Sequence, residues 1–510
     1  MTSSLFDIAL ALGHFATVAT IVFIILYLVL GFDDVLSDIY FWIRRSVRNL
    51  RFNMVPELTL EKLDAFAEQR IAVFVPCWRE AEVVGRMIGL LCPSIRYTNF
   101  DVFVGVYPND QATQAALDGV RNRFSNVHMI VNPSPGPTTK GQNLNAMFEG
   151  LKAVEGDRPF AMVVLHDVED VVHPLSFKLY NYLIPRKDMV QLPVFPLERP
   201  AANWTAWTYA DEFAENHQKD LLVRESSDGF VPGAGVGCAY GRRCLDAMFA
   251  KHNGRLFRAD ALTEDYQFGL ELKLNGFESV FVHQRIQIPK SMDWRFSAAG
   301  NFIATRAFFP FTFRSAARQK SRWVAGICFQ AASMTGWKGN PMTRYNLYRD
   351  RKSVVADFVS MAAYPVLLLV AGLYLWRWYD SAVPVPRFTD PVVVAGLWVT
   401  LSITLFRLIQ RACFVGTLYG RWQALASIPR TVWGNVINGS AALAASWQVC
   451  RARVRNQPLV WVKTSHHFPH NMDLPPQGLV ALKILPEASA LPAVTLPSAL
   501  ETDSQPSLVK

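Results

Sequence analysis

Three carboxylates lie within four positions, directly after a run of apolar residues. The run is 163–165, and the acids that follow it are Asp167, Glu169 and Asp170. Carboxylates this close together repel one another unless they share a cation. Mg²⁺ prefers such oxygen ligands and often binds together with a phosphate. The alternative is a helix N-terminus at which the acids favour only the helix dipole, and this pattern alone leaves both interpretations open.

A second pair of acids, Glu264 and Asp265, follows Thr263 and precedes a helical pattern at 266–274. The structural interpretation is that Thr263 caps the helix and that both acids favour its dipole. The functional interpretation makes Asp265 a general base that takes a proton from a hydroxyl group. Without further motifs this pair favours the structural interpretation.

Lys140 stands at the start of a predicted helix, after a turn-rich loop with three prolines. A cation at that position suits a diphosphate, as does the helix dipole. The alternative is an ordinary loop with an exposed lysine. A glycine cluster at 233–237 indicates a backbone that leaves room for a sugar.

A basic amphipathic stretch follows the aromatic residues 308–313. One interpretation is an interfacial helix with snorkelling basic side chains and a tryptophan at headgroup level. The other brings Gln319, Arg322 and Trp323 into an active site. There Trp323 would stack on an acceptor sugar while Arg322 meets a diphosphate. One helix can do both.

Alternating short apolar runs and helical patterns from Ile71 onward must position these groups. Such alternation predicts an α/β domain in which a parallel sheet has helices on both faces. The predicted strands are 71–75, 101–106, 127–131 and 161–165, and the predicted helices are 80–91, 111–124 and 143–154. Glu80 follows the first strand and Asp110 the second. Because ligands bind beyond the carboxyl ends of such strands, these acids predict a nucleotide site.

The composition indicates a membrane protein. Of the 510 residues 51% are hydrophobic, and the formal charge is +9. Residues 8–32 are long and apolar enough to cross a bilayer, and Arg44, Arg45, Arg48 and Arg51 follow them. Arginines cluster on the cytoplasmic flank of a span, which predicts an outer N-terminus and a cytoplasmic catalytic domain. Because the basic residues flank apolar segments, nucleic-acid binding is excluded.

Two further apolar segments, 354–376 and 392–409, are also predicted to span the membrane. The expected organisation is a transmembrane helix at 1–34, an interfacial or linker helix at 35–70, the α/β domain at 71–290, interfacial helices at 291–353, two transmembrane helices at 354–420, an interfacial amphipathic region at 421–472 and a disordered tail at 473–510. Seven cysteines without CxxC spacing argue against a disulfide framework and against a zinc site.

Taken together and in this order, the motifs at 167–170, 263–265 and 319–323 resemble those of membrane-bound family 2 glycosyltransferases. The similarity is closer to the bacteriophage N4 adsorption protein B family of inner-membrane glycosyltransferases. The stretches that carry it are 166–174, 263–269, 304–310 with 319–323, and 461–466.

The resemblance implies a GT-A fold, which is a Rossmann-like nucleotide-sugar domain, joined to transmembrane α-helices. It implies that Glu80 and Asp110 hold the nucleoside and that Lys140 holds the diphosphate. It also implies that Asp167, with Glu169 or Asp170, binds Mg²⁺ or Mn²⁺ at the nucleotide-sugar. The motif reads Asp-Val-Glu-Asp here, so the identity of the second ligand stays open.

The resemblance further implies that Asp265, beside Glu264, is the catalytic base. Gln319, Arg322 and Trp323 would form the platform for the acceptor and the diphosphate. The implied reaction is inverting sugar transfer from a nucleotide-sugar, with a UDP-sugar as the first expectation. The acceptor would be a growing polysaccharide or a lipid.

A multi-pass protein of the bacterial inner membrane, in contact with lipids and with its catalytic domain in the cytoplasm, fits exopolysaccharide synthesis. Export would then involve an outer-membrane or export partner. The competing hypothesis is a non-catalytic membrane scaffold or receptor subunit of a polysaccharide secretion complex, built on a glycosyltransferase fold. The intact acids argue against it, because a scaffold does not need mutually repelling carboxylates.

Overall fold

The computed structural model describes residues 3–52, 58–286, 302–457 and 459. Its α/β domain is built on a seven-stranded sheet with the order β3-β2-β1-β4-β8-β6-β9. The strands are β1 Ile71–Pro76, β2 Phe100–Val106, β3 Val127–Val131, β4 Met162–Leu165, β6 Met189–Gln191, β8 Cys238–Gly241 and β9 Ser279–Phe281. A second sheet joins β5 Val171–Val172, β10 Thr305–Ala307 and β7 Val194–Pro196.

The main sheet is mixed, so the expectation of a parallel sheet is wrong for one strand. β8 runs antiparallel to both of its neighbours, β4 and β6. After β6 the chain leaves the sheet at the carboxyl edge, passes through β7 and two helices, and re-enters from that same edge. A strand that re-enters there must run in the opposite direction. The glycine cluster 233–237 immediately precedes β8 and therefore lies at this edge.

Both faces of the sheet are covered, as the alternation predicted. On one face Val73 and Val75 of β1 belong to the same buried cluster as Ile88, and on the other Phe74 packs with Phe148, because successive strand side chains point to opposite faces. The helices of the domain are α2 Leu60–Asp64, α3 Ala81–Ser94, α4 Gln111–Arg121, α5 Lys140–Glu155, α6 Ser176–Leu183, α7 Trp204–Glu215, α8 Leu221–Ser226, α9 Arg242–Lys251 and α10 Glu264–Leu274. A π-helical segment, Asn216–Asp220, joins α7 to α8.

Within the described residues, three helices are long and apolar enough to cross a membrane. They are α1 Ser3–Phe52, α13 Pro341–Tyr379 and α14 Pro391–Tyr419. α1 continues without a break through the boundary expected at 34/35. The other helices of this part are α11 Phe313–Val324, the π-helical Ala325–Gln330, α12 Ala331–Thr335 and α15 Arg421–Val454. The expected boundary at 290/291, the similar stretch 461–466 and the expected disordered tail at 473–510 lie outside the described residues.

Buried ion pairs join α1 to the rest of the molecule. Lys219 Nζ, between α7 and α8, lies 2.6 Å from Asp38 Oδ1 of α1, and both side chains are almost fully buried. Lys352 Nζ of α13 lies 2.6 Å from Asp33 Oδ1 of α1. Each charge lies beside an opposite charge, because an unpaired buried charge is strongly unfavourable. The α/β domain and the long helices therefore form one connected structure.

The α15 helix is anchored on α7 by one buried pair. The Arg430 guanidinium is 1% exposed and donates to Asp211 Oδ1 at 2.7 Å and to Asp211 Oδ2 at 2.8 Å. We expect Arg430→Met to destabilise the protein by about 3–5 kcal/mol, because it leaves the Asp211 carboxylate buried without its partner. The measurement is the midpoint of thermal unfolding in detergent. Arg421→Met, at an exposed position of the same helix, is the control and should leave the midpoint unchanged; an equal midpoint for both variants would contradict the anchoring role.

Candidate functional site

One cavity of about 700 Å³ lies at the carboxyl ends of β1, β4 and β6. Residues that are far apart in the sequence line this cavity. Of the residues predicted for a site, Glu80, Lys140, Asp167, Glu169, Asp170, Glu264, Asp265, Gln319, Arg322 and Trp323 line it. Asp110 is not among the described residues that do so. The three motifs and the lysine therefore meet in a single space.

Lys140 is one of the cationic side chains that line the cavity. Its Nζ donates to Asp167 Oδ1 at 2.6 Å and to the Gly235 carbonyl at 3.2 Å. Thr139 caps α5 through a capping box with Gln142, which fixes Lys140 at the first position of that helix. The helix N-terminus and the ammonium group therefore face the same place, where an anion is favoured.

The surrounding carboxylates keep Lys140 charged. Burial alone would lower the pKa of Lys140, but Asp167, Glu264 and Asp265 outweigh burial and hold that pKa above its usual value. One ammonium thus partly neutralises acids from two separate motifs.

The turn after β4 is held by Asp170. Its Oδ2 accepts the backbone N–H of Asp167 at 2.9 Å and lies 2.9 Å from His166 Nδ1. His166 is fully buried, and burial lowers its pKa to about 3, so the neutral ring donates from Nδ1 to Asp170. Asp170 therefore positions the turn that presents Asp167 to the cavity.

The glycine cluster approaches the two motifs more closely than any other residue type could. Gly235 has a φ of +71°, and a Cβ there would lie 2.7 Å from Asp265 Oδ2 and 3.2 Å from Lys140 Nζ. Only glycine adopts such a φ without strain and without a side chain in the way. The cluster therefore lets the backbone approach Asp265 and Lys140 closely; that it leaves room for a sugar stays a prediction.

Gln191 holds the glycine cluster in place, and the sequence analysis did not identify it. Its Nε2 donates to the carbonyls of Val236 at 2.9 Å and Gly237 at 3.2 Å, and its Oε1 accepts the Ala234 N–H at 2.9 Å. The side chain is 1% exposed. A lone glutamine at the end of a short strand carries no sequence signal for this role, since its partners lie more than 40 positions away.

Glu264 and Asp265 begin α10, and both face the cavity. Burial, reinforced by the charge of Asp265, raises the pKa of Glu264. Burial also raises the pKa of Asp265, against the opposing charges of Lys140 and Arg322. Asp265 Oδ1 accepts the N–H of Tyr266 at 2.8 Å. The Thr263 side chain makes no capping hydrogen bond, so the structural interpretation of this motif is wrong for Thr263.

Arg322 links the last motif to the acid pair. Its Nη1 donates to the carbonyl of Leu262 at 3.0 Å, two residues before Glu264. Gln330, in the π-helical segment, accepts the Leu262 N–H at 2.8 Å and donates to the Asp260 carbonyl at 2.6 Å. Gln330 is a second positioning residue that the sequence analysis missed, because nothing in its neighbourhood marks it.

Trp323 belongs to an aromatic group at one end of the cavity. Its ring stacks near Phe213, with 6.3 Å between centroids, and meets Tyr209 edge-on at 6.1 Å. Gln319 Oε1 is buried and has no hydrogen-bond partner among the described residues. An unsatisfied buried acceptor is unfavourable, so Gln319 Oε1 is an atom that a donor group could satisfy.

Lys320, inside the same motif, ties α11 to α7 and α15. Its Nζ lies 2.6 Å from Glu212 Oε2 and 2.7 Å from Asn438 Oδ1. Glu212 and Asn438 both line the cavity, as does Asp357 of α13. The cavity therefore extends from the sheet edge to the long helices.

Glu80 and Asp110 differ in their placement. Glu80 lines the cavity and is 5% exposed. Asp110 caps α4 instead, accepting the Thr113 N–H at 3.4 Å, and its Oδ2 accepts the Arg79 N–H at 2.5 Å. Arg79 has a φ of +56°, so Asp110 stabilises the unusual turn that leads to Glu80. A direct nucleoside contact of Asp110 stays a prediction.

The carboxylates that line the cavity are possible ligands of a divalent metal ion. Among the described residues no group of three or more His, Cys, Asp or Glu side chains is arranged to hold a metal ion. Mg²⁺ commonly takes one or two carboxylates and completes its shell with substrate phosphates and water. Asp167 and Glu169 both line the cavity and fit a site in which Mg²⁺ has few protein ligands.

The sequence comparisons point to one family. The profile described as glycosyltransferase like family 2 matches residues 68–326, half of the chain. Bacteriophage adsorption protein B of Escherichia coli K12 is 38% identical over 467 residues, covering 89% of this chain and 62% of the relative. Bacteriophage N4 adsorption protein B of E. coli O157:H7 gives the same values. The chain thus spans less than two thirds of the length of these relatives.

Solved structures give weaker similarities. A mannosyltransferase from Pyrobaculum calidifontis, in complex with GDP-Man and Mn²⁺, has a TM-score of 0.46 and 13% identity, covering 84% of this chain and 98% of that one. Glucosyl-3-phosphoglycerate synthase from Mycobacterium tuberculosis, with Mn²⁺ and UDP, has a TM-score of 0.28 and 16% identity, covering 46% and 79%. The family assignment rests on the sequence matches.

The resemblance carried by the three ordered motifs is thereby confirmed, as is the fold class. The α/β domain with its mixed sheet has the GT-A fold, and three helices are long and apolar enough to span a membrane. The chain belongs to glycosyltransferase family 2 and is related to bacteriophage N4 adsorption protein B.

Proposed function

We propose that this chain is an active membrane glycosyltransferase that inverts the anomeric centre as it transfers a sugar from a nucleotide-sugar to an acceptor hydroxyl. One observation carries the proposal: Asp265, Lys140 and Asp167 meet in one cavity, with the 319–323 motif on its other side. A half-buried base, a half-buried cation and an acceptor atom without a partner among the described residues suit this reaction better than a purely structural role.

The donor would bind at the sheet edge, with Glu80 at the nucleoside and Lys140 at the diphosphate. The helix N-terminus that carries Lys140 favours the same anion. Asp167 and Glu169 would hold Mg²⁺ or Mn²⁺, and Asp170 would position Asp167. Bound there, the ion would neutralise charge on the departing diphosphate. Lys140 stabilises that charge as well, because the capping box of Thr139 holds it in a preorganised position.

Asp265 would take the proton from the acceptor hydroxyl on the face opposite the leaving group. Its raised pKa makes it a stronger base than an exposed aspartate. Glu264 also has a raised pKa, and a protonated Glu264 would let Asp265 carry the negative charge of the pair. Glu264 is thus assigned to supporting the base.

The acceptor would bind between Asp265 and the aromatic group. Trp323 offers a ring face for a sugar, and Gln319 Oε1 offers the buried acceptor atom that needs a hydroxyl donor. Arg322 lies between the acid pair and this platform. A polysaccharide or lipid acceptor fits the extension of the cavity towards the long helices.

We place the protein in the bacterial inner membrane as a multi-pass protein with its α/β domain in the cytoplasm. Support comes from the three candidate spans and from Arg44, Arg45 and Arg48 after the first. Nucleotide-sugars are cytoplasmic, so this orientation supplies the donor. We therefore propose that the reaction belongs to exopolysaccharide synthesis and that an export partner takes part in it.

The test is nucleotide release by the detergent-solubilised protein against a panel of UDP- and GDP-sugars. Each donor is incubated with membrane extract as the acceptor source, in Mg²⁺, in Mn²⁺ and in EDTA. We expect metal-dependent release from one donor. Absence of release from every donor, by protein that binds nucleoside diphosphate, would overturn the assignment of activity.

Gly235→Ala is expected to lower kcat/KM by about 10²-fold, since a displacement of about 1 Å in a site can have an effect of that size. The new Cβ would lie 2.7 Å from Asp265 Oδ2, so the base must move. The matched control is Gly276→Ala, which has a φ of +79° and no atom within 4 Å of the added Cβ. It shares the backbone strain but not the collision. Equal kcat/KM values for the two variants would show that the collision with Asp265 is unimportant.

A further inference from the structure

A second cavity, of about 520 Å³, lies away from the site described above. Arg44, Val47 and Arg48 of α1 form one wall, and 280–284, at and after β9, form another. Leu183, Leu222 and Glu225 complete it. It has no lining residue in common with the larger cavity. It is therefore an independent candidate for a binding site.

The charge around this cavity is strongly positive. Arg44 and Arg48 are one helical turn apart, so their side chains lie on the same face of α1. Arg45 and Arg285 are close enough that their charges, with that of Arg48, act on His283. Glu225 is the acid in the lining, and no carboxylate of the described residues pairs with Arg44. Like charges placed together around a space favour an anion within it.

The back of the cavity adds two features. Its walls include the apolar side chains of Val47, Leu222, Val280 and Phe281, which suit an apolar group rather than a bare ion. His283 Nε2 is buried and has no hydrogen-bond partner among the described residues. His283 therefore adds a polar group without a partner among the described residues to the cavity wall, near the charges of Arg45 and Arg48.

We propose that this cavity binds an organic phosphate, with its phosphate group on Arg44 and Arg48 and its apolar part against Leu222, Val280 and Phe281. Arginine matches phosphate geometry through paired N–H donors. Two sources carry this chemistry: the headgroup of an anionic phospholipid and a soluble phosphate ester. Arg44 lies 12 residues beyond Phe32, about 18 Å along the helix axis, on the cytoplasmic side of the membrane in the proposed orientation.

The site lies one strand away from the residue that holds the glycine cluster. Val282, in the cavity wall, donates its N–H to the Gln191 carbonyl at 3.0 Å, and β9 pairs with β6 at Val280 and Phe281. A ligand against these residues therefore contacts the neighbour of Gln191 directly. This adjacency makes the cavity a place from which a bound phosphate could influence the catalytic site.

The experiment is native mass spectrometry of the detergent-solubilised full chain, titrated with two probes. Dihexanoylphosphatidylglycerol represents the lipid source and phenyl phosphate the soluble one, and zwitterionic dihexanoylphosphatidylcholine is the lipid control. We expect saturable binding of at least one anionic probe to the wild type. The probe that binds identifies the source, and binding of both would establish the shared phosphate chemistry.

Three variants decide whether binding occurs in this cavity. R44Q/R48Q should weaken binding at least tenfold, whereas Glu225→Gln should strengthen it several-fold by removing the acid of the lining. R451Q/R453Q removes the same charge from exposed positions of α15 and should bind as the wild type does. Leu222→Trp fills the cavity without changing charge and should also weaken binding. Saturable binding of neither probe, or equal affinity of R44Q/R48Q and R451Q/R453Q, would overturn the proposal.

Discussion

Replacing Asp265 with asparagine is expected to lower kcat by about 10²–10⁴-fold, the range that general base catalysis supplies. The amide has the same shape as the carboxylate but cannot accept the proton of the acceptor hydroxyl. Donor affinity should stay within about twofold, because Lys140 keeps its contact with Asp167 at 2.6 Å. The measurements are single-turnover transfer with the active donor and, separately, nucleoside diphosphate binding.

Asp260→Asn is the matched control for this experiment. Asp260 precedes the acid pair by a few residues, its exposed side chain pairs with Arg258, and it does not line the cavity among the described residues. It should transfer sugar at the wild-type rate. Transfer by Asp265→Asn at that same rate would remove Asp265 from the role of base and leave Glu264 as the acid to test.

The strands and helices that depend on local sequence patterns could be predicted from the sequence. Strands expected at 71–75, 101–106, 127–131 and 161–165 agree with β1 to β4 to within one or two residues, because each is a short apolar run bounded by polar residues. The third expected helix, at 143–154, begins three residues earlier, at Lys140. There the capping box of Thr139 fixes the start of the helix, in agreement with the placement of Lys140 at a helix start.

The direction of β8 could not be predicted in the same way. Cys238–Gly241 is a short apolar segment whose own sequence fits either direction. Its direction depends on the path of the chain through β7, α7 and α8, which ends at the carboxyl edge of the sheet. That path is set by packing against the long helices, as in the Arg430–Asp211 pair, and such long-range contacts leave no periodic signal in the sequence.

In the candidate site, too, some residues could be identified from local sequence and others depend on long-range contacts. That the acids, the lysine and the 319–323 motif come together was predictable, because their residue types are unusual for their positions and follow a known order; their roles stay predictions. Gln191 and Gln330 were not, since each acts through hydrogen bonds to backbone atoms 40 or more positions away. Asp110 was predicted as a nucleoside ligand, and its position after β2 is consistent with that, but its carboxylate is used at Arg79 and Thr113. The position of an acid after a strand does not by itself distinguish a residue that binds the nucleoside from one that stabilises the loop.

The long helices and the site are coupled by packing rather than by sequence proximity. The 319–323 motif illustrates this, because alternate residues point in different directions. Arg322 reaches the segment before the acid pair, whereas Lys320 reaches Glu212 of α7 and Asn438 of α15. The helix therefore lines the cavity and is fixed to the helices next to it; its interfacial placement and its role as a platform stay predictions.

Replacing Asp167 with asparagine is expected to remove the metal-dependent part of donor binding. The Asp167 carboxylate lies in the turn after β4 and lines the cavity. Lys140 Nζ lies 2.6 Å from its Oδ1. In the wild type, Mn²⁺ should strengthen nucleoside diphosphate binding by at least tenfold, whereas in Asp167→Asn the affinity should be the same with Mn²⁺ and with EDTA. Titration calorimetry measures both, and the electron paramagnetic resonance signal of free Mn²⁺ reports ion binding independently of turnover.

Two variants make this result specific. Asp246→Asn carries the same change at an exposed position of α9, where the side chain pairs with Arg242, and it should bind donor and Mn²⁺ as the wild type does. Asp170→Asn should weaken Mn²⁺ binding less than Asp167→Asn, because Asp170 holds the turn through His166 and the Asp167 N–H. Unchanged Mn²⁺ affinity in Asp167→Asn would refute the metal assignment. In that case the ammonium of Lys140, already between the carboxylates and the helix N-terminus, is the cation that faces the diphosphate, and the transferase would work without a metal.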